Sequence, residues 1–301
     1  MEFRDLDYFL HAAAAGHIGR AASEIGLTQP ALTKSIARLE RQLNARLFER
    51  TARGVRLTEA GERLSSHALR LRAGLDDAKR ELAELSDGRR GHLRIGAGLT
   101  MAQHLVPRAC ARLVADLPGV SLEISTGTGD TLMPALRNGT LDLVVTGVAL
   151  ASDPDLKQEV IAEDDVRVVA RRLHPLFRTR KPTIRHFMRE RWILPRPGAL
   201  LSVWLAARCR DLGSEPPRPA VVSDSMPALL SIVAHSNLLS FQALSAVQHS
   251  PLHDAIRSFD VDGLIWRRRI GVTYRRSGYL PASARTLITL LRSAATGVQQ
   301  D

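Results

Sequence analysis

Cysteine is almost absent from this 301-residue chain. Cys110 and Cys209 are the only two, too few and too widely spaced for a disulfide framework or a zinc site. A reducing cytoplasm is the expected compartment. Long apolar runs are missing as well, and nothing approaches the roughly 20 residues that a membrane-spanning helix needs. The opening stretch MEFRDLDYFLHAAAAGHIG carries Glu2, Asp5 and Asp7 and no apolar core long enough for a signal peptide. The expectation is a soluble, unexported protein with no membrane partner. Acids are outnumbered: 31 Asp and Glu against 42 Lys and Arg give a formal charge of +11. That excess favours polyanionic partners or anionic ligands and is silent about fold.

Catalytic signatures are also lacking. There is no G-x-S-x-G, Walker loop or H-E-x-x-H, and in "GAGLTM" the third glycine of a dinucleotide fingerprint is replaced by Met101. The ten histidines are scattered, and the two cysteines fall in helical patterns where burial outweighs nucleophilicity. Asp164 and Asp165 imitate a carboxylate pair, yet adjacent strand residues point to opposite faces. No catalytic residue, metal site or cofactor is expected.

What is present begins with a 45% hydrophobic content, enough for one large or two ordinary domains. Residues 1–57 read as three helices and a basic hairpin. Leu6, Phe9, Leu10 and Ala13 form one apolar stripe, and Ala21, Ala22 and Ile25 the next, with small alanines that let helices approach closely. In the third helix Thr28 suits the N-cap and Pro30 the first turn, while Leu32, Ile36, Leu39 and Leu43 repeat at helical steps. Gln29, Thr33, Lys34, Ala37, Arg38 and Arg41 then face outward. A helix with that face fits the major groove, where Gln can make a bidentate contact to adenine and Lys or Arg to guanine. "LFERTARGVRLT" reads as a hairpin turning at Thr51-Ala52-Arg53-Gly54. From Gln29 to Leu57 there are seven bases and two acids, a local concentration suited to phosphate contacts. The plainer alternative is a solvated basic helix in some all-α domain.

Residues 58–88 predict one long helix, capped by Thr58, favoured at its start by Glu59 and Glu62, and closed by Gly88 with Arg89 and Arg90. Leu64, Ala68, Leu71, Leu75, Ala78, Leu82 and Leu85 alternate by four and three, the spacing of a heptad seam. A dimer accounts for such a seam, because two-fold DNA readers need two recognition helices one duplex turn or a multiple apart. A single core helix is the alternative.

From "GHLRIGAGLT" the chain alternates strands with helices, predicting an α/β domain with largely parallel sheets. The expected strands are residues 92–96, 121–125, 141–146, 166–170, 192–194, 220–223, 238–241 and 266–274. Helices are expected at 200–212 and from Pro281 to Leu291. Leu105, Leu113, Leu132 and Leu136 read as core.

The stretch "AASEIGLTQPALTKSIARLERQLNARLFERTARGVRLTEAG", followed by a long helix and an α/β domain opening at "GHLRIGAGL", closely resembles the LysR-type transcriptional regulators, and the likeness runs the length of the chain. "RRLHPL" and "LDLVVTG" are typical local pieces of the second half. His17 departs from the family, which more often places a small hydroxyl residue there to cap the second helix; losing such a cap costs about 1 kcal/mol. The resemblance implies a winged helix-turn-helix, a linker-helix dimer often assembled into tetramers, and a two-lobed effector domain like a periplasmic binding protein. One lobe would be about 91–161 plus 266–301, the other about 162–265, with a small coinducer between them. It also implies double-stranded promoter or operator DNA, a second copy of the chain and RNA polymerase as partners. DNA contacts fall on Gln29, Pro30, Thr33, Lys34, Arg38, Arg50 and Arg53, and dimerisation on Leu64, Leu71, Leu75 and Leu82.

Candidate effector residues sit at predicted strand ends, where open α/β sheets place ligands. They are Thr100 and Met101 in "GAGLTMAQ", a potential anion site, then Thr128 with Gly129, Gly147, Ser202, Ser223, Ser225 and Phe241. Each is also an ordinary turn or cap residue. "SDSMPALLSIVAHSNLLS" is similar to family members tied to aromatic-acid or sulfonate breakdown and to sugar uptake. Two other functions remain open at this point: a ligand-binding protein without DNA function, and a nucleoid-type binder that ignores small molecules. The arginines of 167–191 and 267–276 leave room for further DNA or anion contacts or are simply solvated.

Overall fold

The computed structural model describes residues 1–52, 54–87, 91–148 and 153–297. They form two compact units, one built on the first 85 residues and one on most of the remainder.

In the first unit, α1 (Phe3–Ala15), α2 (Ile18–Glu24) and α3 (Gln29–Leu43) precede a hairpin of β1 (Phe48–Thr51) and β2 (Gly54–Leu57), and α4 (Glu59–Asp87) follows. Buried Ala12, Ala15, Ala21 and Ala22 pack with Leu32 and Ile36, so small side chains let the three helices meet closely. Thr28 Oγ1 accepts the Ala31 N–H at 3.4 Å and caps α3 as expected. His17, expected to leave α2 uncapped, caps it after all: its Nδ1 accepts the Arg20 N–H at 3.5 Å. A ring nitrogen one bond beyond Cγ reaches the amide that a hydroxyl would reach, at the long end of hydrogen-bond range.

The heptad seam divides in two. Leu64 and buried Ala68 pack against Leu6, Phe9, Leu10, Leu39 and Leu47, so the start of α4 completes this unit's own core. Further along, Leu71, Leu75 and Leu82 are 55%, 41% and 65% exposed. Leu64 thus belongs to intramolecular packing, a role that periodicity cannot separate from a dimer seam. The expected helix end at Gly88, Arg89 and Arg90 lies outside the described residues.

The second unit carries β3 (His92–Gly98), α5 (Leu105–Asp116), β4 (Ser121–Gly127), α6 (Gly129–Arg137), β5 (Leu143–Gly147) and β6 (Leu156–Arg171). It continues through α7 (Ile184–Arg189), β7 (Trp192–Leu194), α8 (Leu200–Asp211), β8 (Pro219–Val222), α9 (Met226–Ala234), β9 (Ser240–Ala243) and α10 (Leu244–Gln248). Last come β10 (Ile256–Phe259), β11 (Trp266–Arg275) and α11 (Ala282–Gly297). The large sheet has the order β10-β6-β11-β5-β3-β4, with β9 also on β6, and β7 pairs with β8 in a separate small sheet.

The sheets are mixed, not largely parallel as the sequence pattern predicts. Strands β4, β3 and β5 are parallel, as are β7 and β8, but β11 runs against both β5 and β6, and β9 and β10 run against β6. The chain re-enters the sheet at β11 and inserts between two strands of like direction, which forces the mixed arrangement. The strand expected at 166–170 is the end of a 16-residue strand whose first half is hidden in the sequence by charges, and β10 is a strand that the sequence pattern does not announce.

Two hydrophobic cores result. One joins β3, α5, β5 and α11 through Leu93, Ile95, Leu113, Val145 and Leu287. The other joins the second half of β6 to α8, α9 and β9 through Val168, Trp192, Leu205, Leu229 and Phe241. β6 and β11 serve both: Ile161, Ala162, Ile270 and Val272 pack in the first, Val166, Val168 and Trp266 in the second, and the register shift at Ile270/Gly271 lies within the first.

Gly54 shows how tightly the hairpin is held. Its φ is 140°, the Val55 N–H donates to the Gly16 carbonyl at 2.9 Å, and a Cβ at 54 would lie 2.2 Å from that carbonyl oxygen. Gly54→Ala is therefore expected to destabilise the N-terminal unit by about 1–3 kcal/mol, read as a lower thermal or urea midpoint. An unchanged midpoint would mean that the hairpin stands clear of Gly16.

Candidate functional site

On α3 the apolar stripe Leu32, Ile36 and Leu39 is buried, which turns Gln29, Pro30, Thr33, Lys34, Ala37, Arg38 and Arg41 outward. Lys34 forms no ion pair among the described residues. Arg38 differs, because its guanidinium pairs with the carboxylate of Asp5, which also accepts the Ser35 hydroxyl at 2.9 Å. Burial opposes ionisation of Asp5, but the hydrogen bonds from Arg38 and Ser35 outweigh it and hold the carboxyl below its ordinary range. Arg38 is thus a strut between α1 and α3 whose side chain is still 44% exposed. On the hairpin, Glu49 and Arg56 pair across the strands at 2.8 Å, leaving Arg50 exposed. Arg53 lies outside the described residues.

The second unit contains a cleft of about 540 Å³, open to solvent. One wall is made where β3, β4 and β5 end, at Gly98, Gly127 and Gly147, together with Thr100, Met101, Thr128 and Thr146. The opposite wall comes from Pro195 and the first turns of α8 and α9, at Leu200, Leu201 and Met226. Five of the expected effector residues, Thr100, Met101, Thr128, Gly129 and Gly147, meet here. The Thr128 hydroxyl donates to Asp130, and this bond, with lesser help from Arg196, holds the Asp130 carboxyl below its usual range. The other four are engaged elsewhere. Ser202 donates to the Pro195 carbonyl at 2.9 Å. Ser223 Oγ accepts the Ser225 N–H at 3.1 Å, and Ser225 caps α9 through the Ala228 N–H. Phe241 is fully buried and stacked on Trp204, which in turn stacks on Trp266.

Sequence reasoning missed Arg268, which lines the cleft from β11. It lies cross-strand from Asp164 and donates to it at 2.9 Å, while the Ser245 hydroxyl donates to the same carboxylate at 2.8 Å. The signal was available: Arg268 is in phase with buried Ile270 and Val272, whereas Arg267 and Arg269 are exposed. An adjoining recess of about 490 Å³ shares Thr100 and Met101 and includes His104, Asp164 and His249. The two imidazoles stack with centroids 3.3 Å apart. Burial, then the neighbouring His249 and Arg108, push the His104 pKa down to about 4.

Comparison with known proteins places this architecture. Residues 3–62 match the bacterial regulatory helix-turn-helix protein of the lysR family, and residues 86–296 match the LysR substrate binding domain. The chain is 28% identical to the HTH-type transcriptional regulator GbpR of Azospirillum brasilense, covering 98% of this chain and 87% of that protein. It is 32% identical to the SDS degradation transcriptional activation protein of Pseudomonas sp. (strain ATCC 19151), covering 82% and 80%. Among solved structures it shares its fold with a full-length OxyR variant from Pseudomonas aeruginosa, at a TM-score of 0.70 and 23% identity over 98% of this chain and 97% of that one. CbnR in complex with its target DNA gives 0.67 and 22% over 98% and 100%. The chain belongs to the LysR family of transcriptional regulators: a DNA-binding helix-turn-helix domain followed by an effector-binding domain, and not an enzyme. Among the described residues no helix is long and apolar enough to cross a membrane.

The Asp5 strut has a pH signature. A carboxyl whose folded pKa lies below its unfolded value contributes stability above the unfolded pKa and loses it as pH falls through the folded one. Asp5→Asn is expected to cost about 1–3 kcal/mol near neutral pH, with the gap to wild type closing below about pH 4. Urea titrations at both pH values check this, and a gap independent of pH would assign the loss to shape alone.

Proposed function

We propose that the protein is a cytoplasmic regulator that reads promoter DNA as a homodimer or homotetramer, its binding modulated by a small anionic metabolite held in the cleft. The observation that carries the DNA half is the outward face of α3, where Gln29, Pro30, Thr33 and Lys34 stand exposed over a buried apolar stripe. Gln29, Thr33 and Lys34 read or grip the major groove. Arg38, braced by Asp5, presents a pre-oriented guanidinium to a phosphate, and Arg50 and Arg53 steady the hairpin against the backbone. The exposed Leu71, Leu75 and Leu82 of α4 supply the seam for a second copy.

Thr100, Met101, Thr128 and Gly147 line the effector site, with Ser202, Ser223, Ser225 and Phe241 shaping its far wall from behind. No cofactor or metal takes part; the coinducer is the one small-molecule partner, and RNA polymerase is the downstream one. Aromatic acids, sulfonates and sugar-related acids are the metabolite classes considered. The name of the Pseudomonas relative refers to SDS, an alkyl sulfate, which supports an anion with an apolar body.

Sequencing of genomic fragments captured by the full chain across salt concentrations tests the DNA half. A recurrent two-fold site upstream of a few genes is expected; diffuse, salt-sensitive capture would instead favour a nucleoid-type binder. Lys34→Ala should weaken operator binding about tenfold, the loss of one base or phosphate contact worth about 1–3 kcal/mol, and wild-type affinity would remove α3 from the reading face. Thr100→Val should blunt the ligand response and leave DNA affinity unchanged, and an identical ligand titration would exclude Thr100 from the site.

A further inference from the structure

We propose that Arg268 is the anion anchor of the cleft and that the effector is a small carboxylate or sulfonate, its charged group bound to this guanidinium. The inference rests on the cleft being the effector site and goes further in naming the group that selects the ligand's charge. Arg268 is only 6% exposed and lines the cleft. Its single hydrogen bond among the described residues runs from Nη2 to Asp164, and its buried Nε has no partner. A guanidinium offers a fork of donors suited to a planar or tetrahedral oxyanion. Here one part of the fork is held by Asp164, which fixes the side chain's direction, and the Nε–H is unspent. Nη1 and the second Nη2 hydrogen also make no hydrogen bond among the described residues, and a ligand oxygen in the cleft is the natural partner for a fork left largely unspent.

The surroundings favour the same charge. Gly129, Leu200 and Met226 line the cleft and are the first residues of α6, α8 and α9, so the positive ends of three helices border it. Asp164 neutralises Arg268 without satisfying it, because its own oxygens are shared with the Ser245 hydroxyl. Met101, Leu200, Leu201 and Met226 also line the cleft, beside Thr100, Thr128 and Thr146, and suit a short apolar body attached to the charged end. Polar sugars are disfavoured by this lining, which leaves an aromatic or short aliphatic acid.

The test uses the full chain and matched pairs of probes: benzoate with benzamide, benzenesulfonate with benzenesulfonamide, hexanoate with hexanamide. Each is scored by thermal shift at millimolar concentration and then by calorimetric titration. At least one anion should bind while its neutral twin does not. Arg268→Gln should weaken that anion at least about tenfold, and Asp164→Asn, which removes the competing carboxylate and keeps the guanidinium, should tighten it by about threefold. A purely structural ion pair would lose affinity in both variants, which overturns the proposal, as does a wild-type protein that binds no anion or binds the neutral twin equally. Should Arg268→Gln not fold, Asp164→Asn decides alone: unchanged or weaker binding refutes the anchor. Thr100→Val separates the two levels. If it abolishes anion binding while Arg268→Gln does not, the anchor is wrong and the cleft remains the effector site; if anion binding is indifferent to both and leaves the DNA footprint unaltered, the cleft itself is wrong.

Discussion

Two strands have to satisfy two hydrophobic cores, and the effector-binding unit is organised around that constraint. β6 and β11 lie antiparallel along all of β11 and from Leu156 to Val166 of β6, and each contributes to both cores. A strand presents alternate residues to opposite faces, so a continuous register would commit each face along its entire length. The irregularity at Ile270/Gly271, where β6 carries one extra residue, lies within the first core, where Ile270 and Val272 of β11 meet Ile161 and Ala162 of β6; the change of core comes further along, at Trp266 and Val166. Arg268 and Asp164 sit two residues on the far side of Ile270 and Ala162, in phase with the apolar positions. Their pairing is what makes a charge tolerable at a site that alternation would otherwise fill with Val or Ile. A buried ion pair of this kind is weak evidence for stability, since desolvation consumes most of the Coulomb attraction; its position beside the cleft is better explained by what the guanidinium can still donate.

The N-terminal unit solves a smaller problem by a similar device. A short helix packed by four residues on one side leaves most of its surface to water, and α3 must hold a fixed orientation with little apolar area. Asp5 supplies the missing restraint from α1, accepting both Ser35 and Arg38 across the helix interface. Glu40 does the same beyond the helix end, accepting the backbone N–H groups of Leu47 and Phe48 at 2.8 and 3.3 Å. The two acids between Gln29 and the end of the hairpin are therefore engaged, Glu40 by backbone and Glu49 by Arg56. What remains on the outer face is positive, so the charge asymmetry visible in the sequence is sharpened by folding.

Much of this is legible in the sequence, and the failures share a cause. Helices with one apolar stripe, strands of unbroken Val and Ile, and the caps at Thr28 and Thr58 are local, so periodicity and side-chain chemistry reveal them. Strand direction is not local, and the mixed sheet arises because β11 inserts between β5 and β6. The first half of β6 is hidden because Glu159, Glu163, Asp164 and Asp165 obscure its alternation, although alternation does put Asp164 and Asp165 on opposite faces. Leu64 looks like Leu71 because a heptad pattern cannot say which helix the seam meets. Ser202, Ser223, Ser225 and Phe241 stand out by position at segment ends, where a hydroxyl's commonest use is to satisfy nearby backbone, and that is what the three serines do.

As the proposed effector site, the cleft also limits what a bound molecule can achieve. Its walls come from both cores, with β3, β4 and β5 on one side and the starts of α8 and α9 on the other, so a bound molecule touches groups that belong to different packed bodies. A ligand changes a conformational equilibrium only by the difference between its affinities for the two states. Contacts to one wall alone bind equally well however the walls are disposed and shift nothing. Groups that bridge the walls are the ones whose geometry alters when the walls move, and β11 is shared between the cores. A donor carried on that strand beside its register shift is placed to convert a small displacement into a large change in hydrogen-bond geometry, which falls off steeply with angle and distance. In the proposed reading, the residue that recognises charge is thus also the one placed to sense closure, on the strand shared by the two cores.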